Sequence, residues 1–127
     1  MTVILIVEDN EKNLKLVRDV LRFKGYQTLE ATNATDGLRL AAEENPDLIL
    51  MDIQLPDIDG ITALGRLRAD PKTRDTPVLA VSASVMPDEQ QAIVASGFNA
   101  YITKPINVKS FVETVEKYVG KPGETRP

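Results

Sequence analysis

The chain of 127 residues contains no cysteine, no histidine and no tryptophan. Without cysteine there is no disulfide scaffold, no thiolate-held zinc or iron–sulfur centre and no thiol nucleophile. Without histidine the commonest general base is missing, together with imidazole ligation of haem or zinc and any Ser–His or Cys–His pair. Chemistry is left to carboxylates, hydroxyls, lysine, backbone groups or a metal bound through oxygen. Long apolar stretches are missing too. The longest, Val3–Val7, falls far short of the roughly 20 residues that span a bilayer. No basic run precedes it and no small-residue cleavage site follows, so it does not read as a signal peptide. Positive charge is in deficit: 15 Lys+Arg face 19 Asp+Glu, a net charge of −4, which argues against a broad nucleic-acid-binding surface. At roughly 100–200 residues per domain the length fits one domain. A chain of this size buries somewhat under about 68% of its unfolded surface, enough for a core without covalent staples. These limits lead us to expect a soluble cytoplasmic domain with no membrane and no nucleic-acid partner.

What the chain does have is regular alternation. Val3-Ile4-Leu5-Ile6-Val7, Leu48-Ile49-Leu50-Met51 and Val78-Leu79-Ala80-Val81 are continuous apolar runs, the pattern of strands buried on both faces of a parallel sheet. Gln27–Ala31 and Ala100–Thr103 are mixed, as edge strands are. Between these runs lie helical periods. Leu14, Val17 and Leu21 recur over residues 11–24, closed by Gly25. Val108, Phe111, Val112, Val115 and Val119 form one apolar stripe. Residues 35–45 and 60–69 give two more helices, each ending near a proline, and residues 87–96 open with Pro87, Asp88 and Glu89 as a helix start does. That last helix holds only Ile93 and Val94 as large apolar residues, so it is expected to be the most weakly docked. The pattern (βα)₅ predicts an α/β, flavodoxin-like, doubly wound parallel sheet in the order 2-1-3-4-5. It occupies residues 1–119, and residues 120–127, which lack large apolar side chains, are expected to be a flexible tail.

In an open parallel sheet, ligands sit outside the carboxyl ends of the strands where the winding reverses. Here the first strand runs into Glu8 and Asp9, the third into Asp52, the fourth into Ser82 and the fifth into Lys104. Taken singly, Ser82 or Asp9 reads as a loop starter or helix cap, and Lys104 as a solvated edge lysine. Asn10 reads as the cap of the first helix and Asp59 before Gly60 as turn and cap chemistry. Asp57–Gly60 faintly resembles a calcium loop, but Leu55 and Arg66 would occupy its first and twelfth positions, which rejects an EF-hand. Converging on one rim, three carboxylates, a hydroxyl and an ammonium mean more than five separate caps. The carboxylates need counter-charge beyond Lys104, and an oxygen-only donor set suits Mg²⁺. A cation held by so few protein oxygens completes its shell with water and phosphate, which points to phosphoryl chemistry. Asp52, the lone acid at the centre of the sheet, is the candidate nucleophile for an aspartyl phosphate.

The blocks Val7-Glu8-Asp9-Asn10, Leu50-Met51-Asp52-Ile53-Gln54-Leu55-Pro56, Asp59-Gly60, Val81-Ser82-Ala83 and Lys104-Pro105 resemble the receiver domain of two-component response regulators, over nearly the whole chain from about Val3 to Val119. The Glu-Asp-Asn start and the Met-Asp-Ile-Gln-Leu-Pro block resemble stand-alone receivers of the DivK type, although receivers inside hybrid histidine kinases share them. The resemblance implies that Asp52 is the phosphoacceptor, and that Glu8 and Asp9 are the acidic pair for Mg²⁺, which Mn²⁺ can replace. The Asp52 carboxylate and the backbone carbonyl of Gln54 complete the metal set. It further implies that Ser82 hydrogen-bonds a phosphoryl oxygen, that Tyr101 is the switch aromatic, that Lys104 pairs with the phosphate, and that the Lys104–Pro105 bond is cis. Two departures stand out. Glu8 replaces the commoner Asp, and its extra methylene leaves open whether it ligates directly or through water; Ser82 replaces a frequent Thr.

The implied function is that of a single-domain response regulator in a two-component phosphorelay. It would take its phosphoryl group from a sensor histidine kinase or a histidine phosphotransfer protein and signal by protein contact. The expected partner face is built from residues 84–103 and the 107–119 helix. Alternatives are a phosphoryl shuttle or sink, or a module derived from a hybrid kinase. A true phosphohydrolase would carry a second Asp two residues beyond its nucleophile, where this chain has Gln54, so no enzyme is expected beyond self-phosphorylation and slow autodephosphorylation. A flavodoxin-like cofactor binder needs a Ser/Thr/Gly phosphate loop after the first strand, and Glu8-Asp9-Asn10-Glu11 would repel a phosphate unaccompanied by metal. The intact acidic set argues against a degenerate receiver used only for docking.

Overall fold

The apolar runs form strands and the amphipathic stretches form helices. In the computed structural model, which describes residues 2–83 and 86–120, the order is β1 (Val3–Val7), α1 (Glu11–Phe23), β2 (Gln27–Ala31), α2 (Ala34–Glu44), β3 (Leu48–Asp52), α3 (Gly60–Ala69), β4 (Val78–Ser82), α4 (Pro87–Ala95), β5 (Ala100–Thr103) and α5 (Val108–Val119). All pairings are parallel and the strand order is β2-β1-β3-β4-β5, as the sequence predicts. β3 and β4 are buried along their whole length, whereas β2 and β5 at the edges are partly exposed. Both central strands run one residue past their apolar runs and so take Asp52 and Ser82 into the sheet.

Successive strand residues face opposite sides, which divides the core in two. Ile4, Ile6, Leu48, Leu50, Leu79, Val81 and Ile102 meet Val17 and Leu21 of α1 and Phe111, Val112, Val115 and Val119 of α5. Leu5, Val7, Ile49, Met51, Val78 and Ala80 meet Ala34 and Ala41 of α2, Ala63, Leu64 and Leu67 of α3, and Ile93 of α4. Pairing also continues past the strand ends, with the Glu8 N–H donating to the Ala31 carbonyl and the Lys104 N–H to the Ser82 carbonyl, both at 2.9 Å. Glu8 therefore follows Ile6, Asp52 follows Leu50 and Lys104 follows Ile102 toward the α1–α5 side of the rim. Ser82 follows Ala80, and Tyr101 packs among the α2–α4 layer.

Helix starts are chemically marked. The side chains of Asn10, Asn33, Asp59 and Asn107 accept from the backbone N–H groups of Asn13, Asp36, Thr62 and Ser110, which satisfies donors that have no intrahelical acceptor. Asn10 and Asp59 are the caps expected from sequence. Gly25, at φ 97°, closes α1 in a conformation that an L side chain resists. Gly120 is the C-cap of α5, and its carbonyl accepts from the Tyr26 hydroxyl at 2.6 Å. The rest of the expected tail, residues 121–127, lies outside the described residues. No helix among the described residues is long and apolar enough to cross a membrane.

α4 differs from its neighbours. Its N-cap, Met86, makes no side-chain cap bond, and Pro87 opens the first turn. Of its two large apolar residues only Ile93 is buried, and Val94 is 41% exposed. With little buried area and no cap, this helix belongs to the low-stability end of the fold. In hydrogen-exchange measurements its backbone amides are expected to exchange faster than those of α1 and α5. Equal protection of the three helices would mean that α4 is held as firmly as the rest.

Candidate functional site

The rim brings Glu8, Asp52 and Lys104 together. The Lys104 Nζ lies 3.0 Å from Glu8 Oε1 and 3.0 Å from Asp52 Oδ2. The other oxygen of each acid is also engaged, Glu8 Oε2 by the Asn10 N–H at 3.2 Å and Asp52 Oδ1 by the Gln54 N–H at 3.1 Å. Glu8 and Asp52 are each only 4% exposed. Asp9, next along the chain, is exposed, and its carboxylate lies with those of Glu8 and Asp52 in a cluster whose oxygens are all within 4.8 Å of one another. No other cluster of potential metal ligands occurs among the described residues.

Local sequence explains how Asp52 is presented. It ends the central strand, and Gly60, the first residue of α3, lies directly against that exit. A Cβ at Gly60 would come within 2.7 Å of the Asp52 carbonyl oxygen, so only glycine lets the helix begin so close. The Gly60 N–H donates to the Ile53 carbonyl at 2.8 Å and closes the base of the β3–α3 loop. Ser82, buried at the end of β4, lines a groove of about 520 Å³ with Ile53, Gln54, Ile61, Glu89 and Ile93. Half-buried Tyr101 donates its hydroxyl to the Ser82 carbonyl at 3.5 Å. The Lys104–Pro105 bond is cis. The residues expected from sequence thus share one rim: Glu8, Asp9, Asp52 and Lys104 in direct contact or close array, Gln54 and Ser82 lining the adjoining groove, and Tyr101 reached through Ser82. Two features escaped the sequence. The pattern marks Gly60 as turn, helix start and family block but not its close approach to the Asp52 carbonyl, and it gives no role to Asp57, which bonds Ala34 and Thr35, more than 20 positions earlier. Local pattern carries no signal for such a remote contact.

Charge at the rim is unbalanced, with one ammonium against three carboxylates. Burial pushes the Glu8 carboxyl up to about 7, aided by the hydrogen bond and like charge of Asp52, while Lys104 and the Asn10 N–H pull the other way. Burial opposes the Lys104 ammonium, but the carboxylates of Glu8 and Asp52 outweigh it and raise its pKa. Asp57 sits well below the usual carboxylate range, chiefly through the Thr35 hydroxyl. A hard divalent cation fits this donor set, because all its ligands are oxygens and it supplies the missing positive charge. Asp9 is the best placed to bind it directly, making no hydrogen bond or ion pair among the described residues, whereas both oxygens of Glu8 and both of Asp52 are engaged and must share or exchange a partner to ligate.

Because the folded state holds the Glu8 proton to about 7 and an unfolded chain releases it near 4.5, the folded state binds more protons between those values, and stability falls as pH rises through that window. The metal-free melting temperature, followed by circular dichroism, is expected to decline from about pH 4.5 to about pH 7, and Glu8→Gln to flatten that slope. Excess Mg²⁺ favours the ionised acids, so its stabilising effect should be larger at about pH 8 than at about pH 5.5.

Comparison with known proteins agrees with this geometry. Residues 4–116 match the family model of the response regulator receiver domain. The polar-differentiation response regulator DivK of Brucella anthropi is 46% identical over 117 residues, covering 92% of this chain and 95% of that protein. Among solved structures, a response regulator from Chloroflexus aurantiacus superposes with a TM-score of 0.88 at 29% identity, over 94% of this chain and 98% of that one. The receiver domain of a sensor histidine kinase from Pseudomonas aeruginosa PAO1, with a magnesium ion coordinated in its active-site cleft, superposes with a TM-score of 0.86, also at 29% identity and with the same coverage. Sheet order, rim chemistry and sequence agree: this chain belongs to the response regulator receiver family.

Proposed function

We propose that Asp52 accepts a phosphoryl group from a phosphohistidine on a sensor histidine kinase or a histidine phosphotransfer protein, and that the chain signals by phosphorylation-dependent protein contact. The observation that carries this reading is the Asp52 carboxylate itself, buried at the end of the central strand and held at 3.0 Å by Lys104 within an acidic cluster. An Asp52 oxygen attacks phosphorus as the P–N bond to the donor imidazole breaks, and the bonding electrons leave with the imidazole. Asp9, Asp52 and the Gln54 carbonyl would hold Mg²⁺, and Glu8, bonded to Lys104, would join them directly or through water. When bound, the cation offsets the charge of the transferring phosphoryl oxygens. Lys104 exchanges part of its pairing with the acids for a phosphoryl oxygen, and the Ser82 hydroxyl donates to another. We read no enzymatic turnover beyond this self-phosphorylation and slow autodephosphorylation, and we place the chain in the cytoplasm with its kinase.

The output face in this reading is α4–β5–α5. A groove of about 530 Å³ there is lined by Pro87, Gln90, Gln91, Val94, Ala95 and Tyr101, and Met86 and Val108, at the starts of α4 and α5, are 58% and 44% exposed. Ser84 and Val85, which the sequence assigns to the same face, lie outside the described residues. Movement of Ser82 toward a phosphoryl group opens space for the Tyr101 ring and couples the rim to this groove, a coupling typically worth about 1–3 kcal/mol.

Incubation with acetyl phosphate and Mg²⁺ should add one phosphoryl group to the intact mass, and Asp52→Asn should abolish the gain. Label mapping to any other Asp after borohydride trapping would overturn the assignment. In NMR shift mapping, beryllofluoride as a phosphoryl mimic should move the resonances of residues 82–96 and Tyr101 and leave α1 unchanged beyond its first turn. Changes confined to the Asp52 loop would mean that the output runs elsewhere.

A further inference from the structure

Asp57 takes no part in the chemistry above, yet its carboxylate reaches across to residues more than 20 positions earlier in the chain. Its Oδ1 accepts the Ala34 N–H at 2.8 Å, and its Oδ2 accepts both the Thr35 N–H at 2.8 Å and the Thr35 hydroxyl at 2.6 Å. Ala34 and Thr35 open α2, where backbone donors have no acceptor within the helix. The side chain of the helix's own N-cap, Asn33, serves only Asp36. α2 is therefore closed jointly, by Asn33 from its own loop and by Asp57 from another.

The same bonds act in the opposite direction on the loop that carries Asp57. Its base is fixed by the Gly60 N–H on the Ile53 carbonyl and by the Gln54 N–H on Asp52 Oδ1. Ile53, Leu55 and Ile58 rest against the core, which sets the depth of the loop but is non-directional and leaves its peptide planes to be oriented otherwise. Asp57 supplies direction through three bonds to an ionised acceptor, a class roughly twice as strong as neutral pairs. Between the fixed base and this mooring lies the Gln54 carbonyl.

We propose that Asp57 is a positioning residue for the metal site: by mooring the β3–α3 loop to the start of α2, it presets the Gln54 carbonyl for the divalent cation. The inference rests on the reading of Asp9, Asp52 and Gln54 as metal ligands. Without the mooring the loop spends only a fraction of its time in the competent arrangement, and apparent affinity falls by that fraction.

Calorimetric Mg²⁺ titration of the full chain tests this, alongside hydrogen exchange of residues 53–58 in the metal-free protein. Asp57→Ala is expected to weaken Mg²⁺ binding about three- to tenfold and to speed exchange across that segment. Asp57→Asn, which keeps one acceptor oxygen, should fall between Asp57→Ala and wild type, and it carries the test should Asp57→Ala not fold. Asn33→Ala removes the other cap of α2 without touching the loop; it should lower the melting temperature yet leave Mg²⁺ affinity within about twofold. Unchanged affinity in both Asp57 variants would overturn the inference, as would equal weakening in Asn33→Ala, which would reduce Asp57 to a support of α2. A wild-type chain that takes up no Mg²⁺ would instead overturn the reading of the site itself, and this inference with it.

Discussion

The Lys104 ammonium between Glu8 and Asp52 is the interaction on which the rim depends. Two carboxylates almost out of water repel, which drives one of them to take up a proton, and a cation at 3.0 Å from each permits them to stand together. Removing one member of a buried pair typically costs about 3–5 kcal/mol, because the remaining charge is left uncompensated. Here compensation is deliberately incomplete in charge count. The acids outnumber the ammonium, and burial, aided by the neighbouring Asp52, keeps the Glu8 pKa raised. The resting arrangement is thus a stable structure with unfilled electrostatic demand.

That geometry follows from simple periodicity. β1, β3 and β5 place Ile6, Leu50 and Ile102 on one side of the sheet, and two residues later each strand delivers Glu8, Asp52 or Lys104 to the same side. This is why the acidic set and its lysine were legible in sequence: continuous apolar runs fix strand ends, and strand ends fix the rim. The caps at Asn10 and Asp59 were equally legible, since an N-cap is a local contact over three residues.

What the sequence withheld is long-range or steric. Asp57 lies in a Pro-Asp-x-Asp-Gly stretch whose local chemistry spells a turn, and its bonds to Ala34 and Thr35 exist only once β1 and β3 are paired. Gly60 looks like ordinary turn punctuation until the Asp52 carbonyl is placed beside it. Val94 and Val108 fit helical apolar periods yet are 41% and 44% exposed, because periodicity marks which residues can be buried and not whether a neighbouring element arrives to bury them.

Since every strand of a parallel sheet is followed by its helix, all five helices begin at the rim and end at the opposite edge. Each contributes roughly half a positive charge at its first turn, a fixed field that falls off within about one turn. α1 is close enough to matter, because its cap Asn10 follows Asp9 directly and gives its own N–H to Glu8. The backbone thus lends the acidic corner a permanent electropositive backing that needs no bound ion. An arriving dianion meets three acids on one side and, behind them, aligned peptide dipoles that attract it without ever titrating.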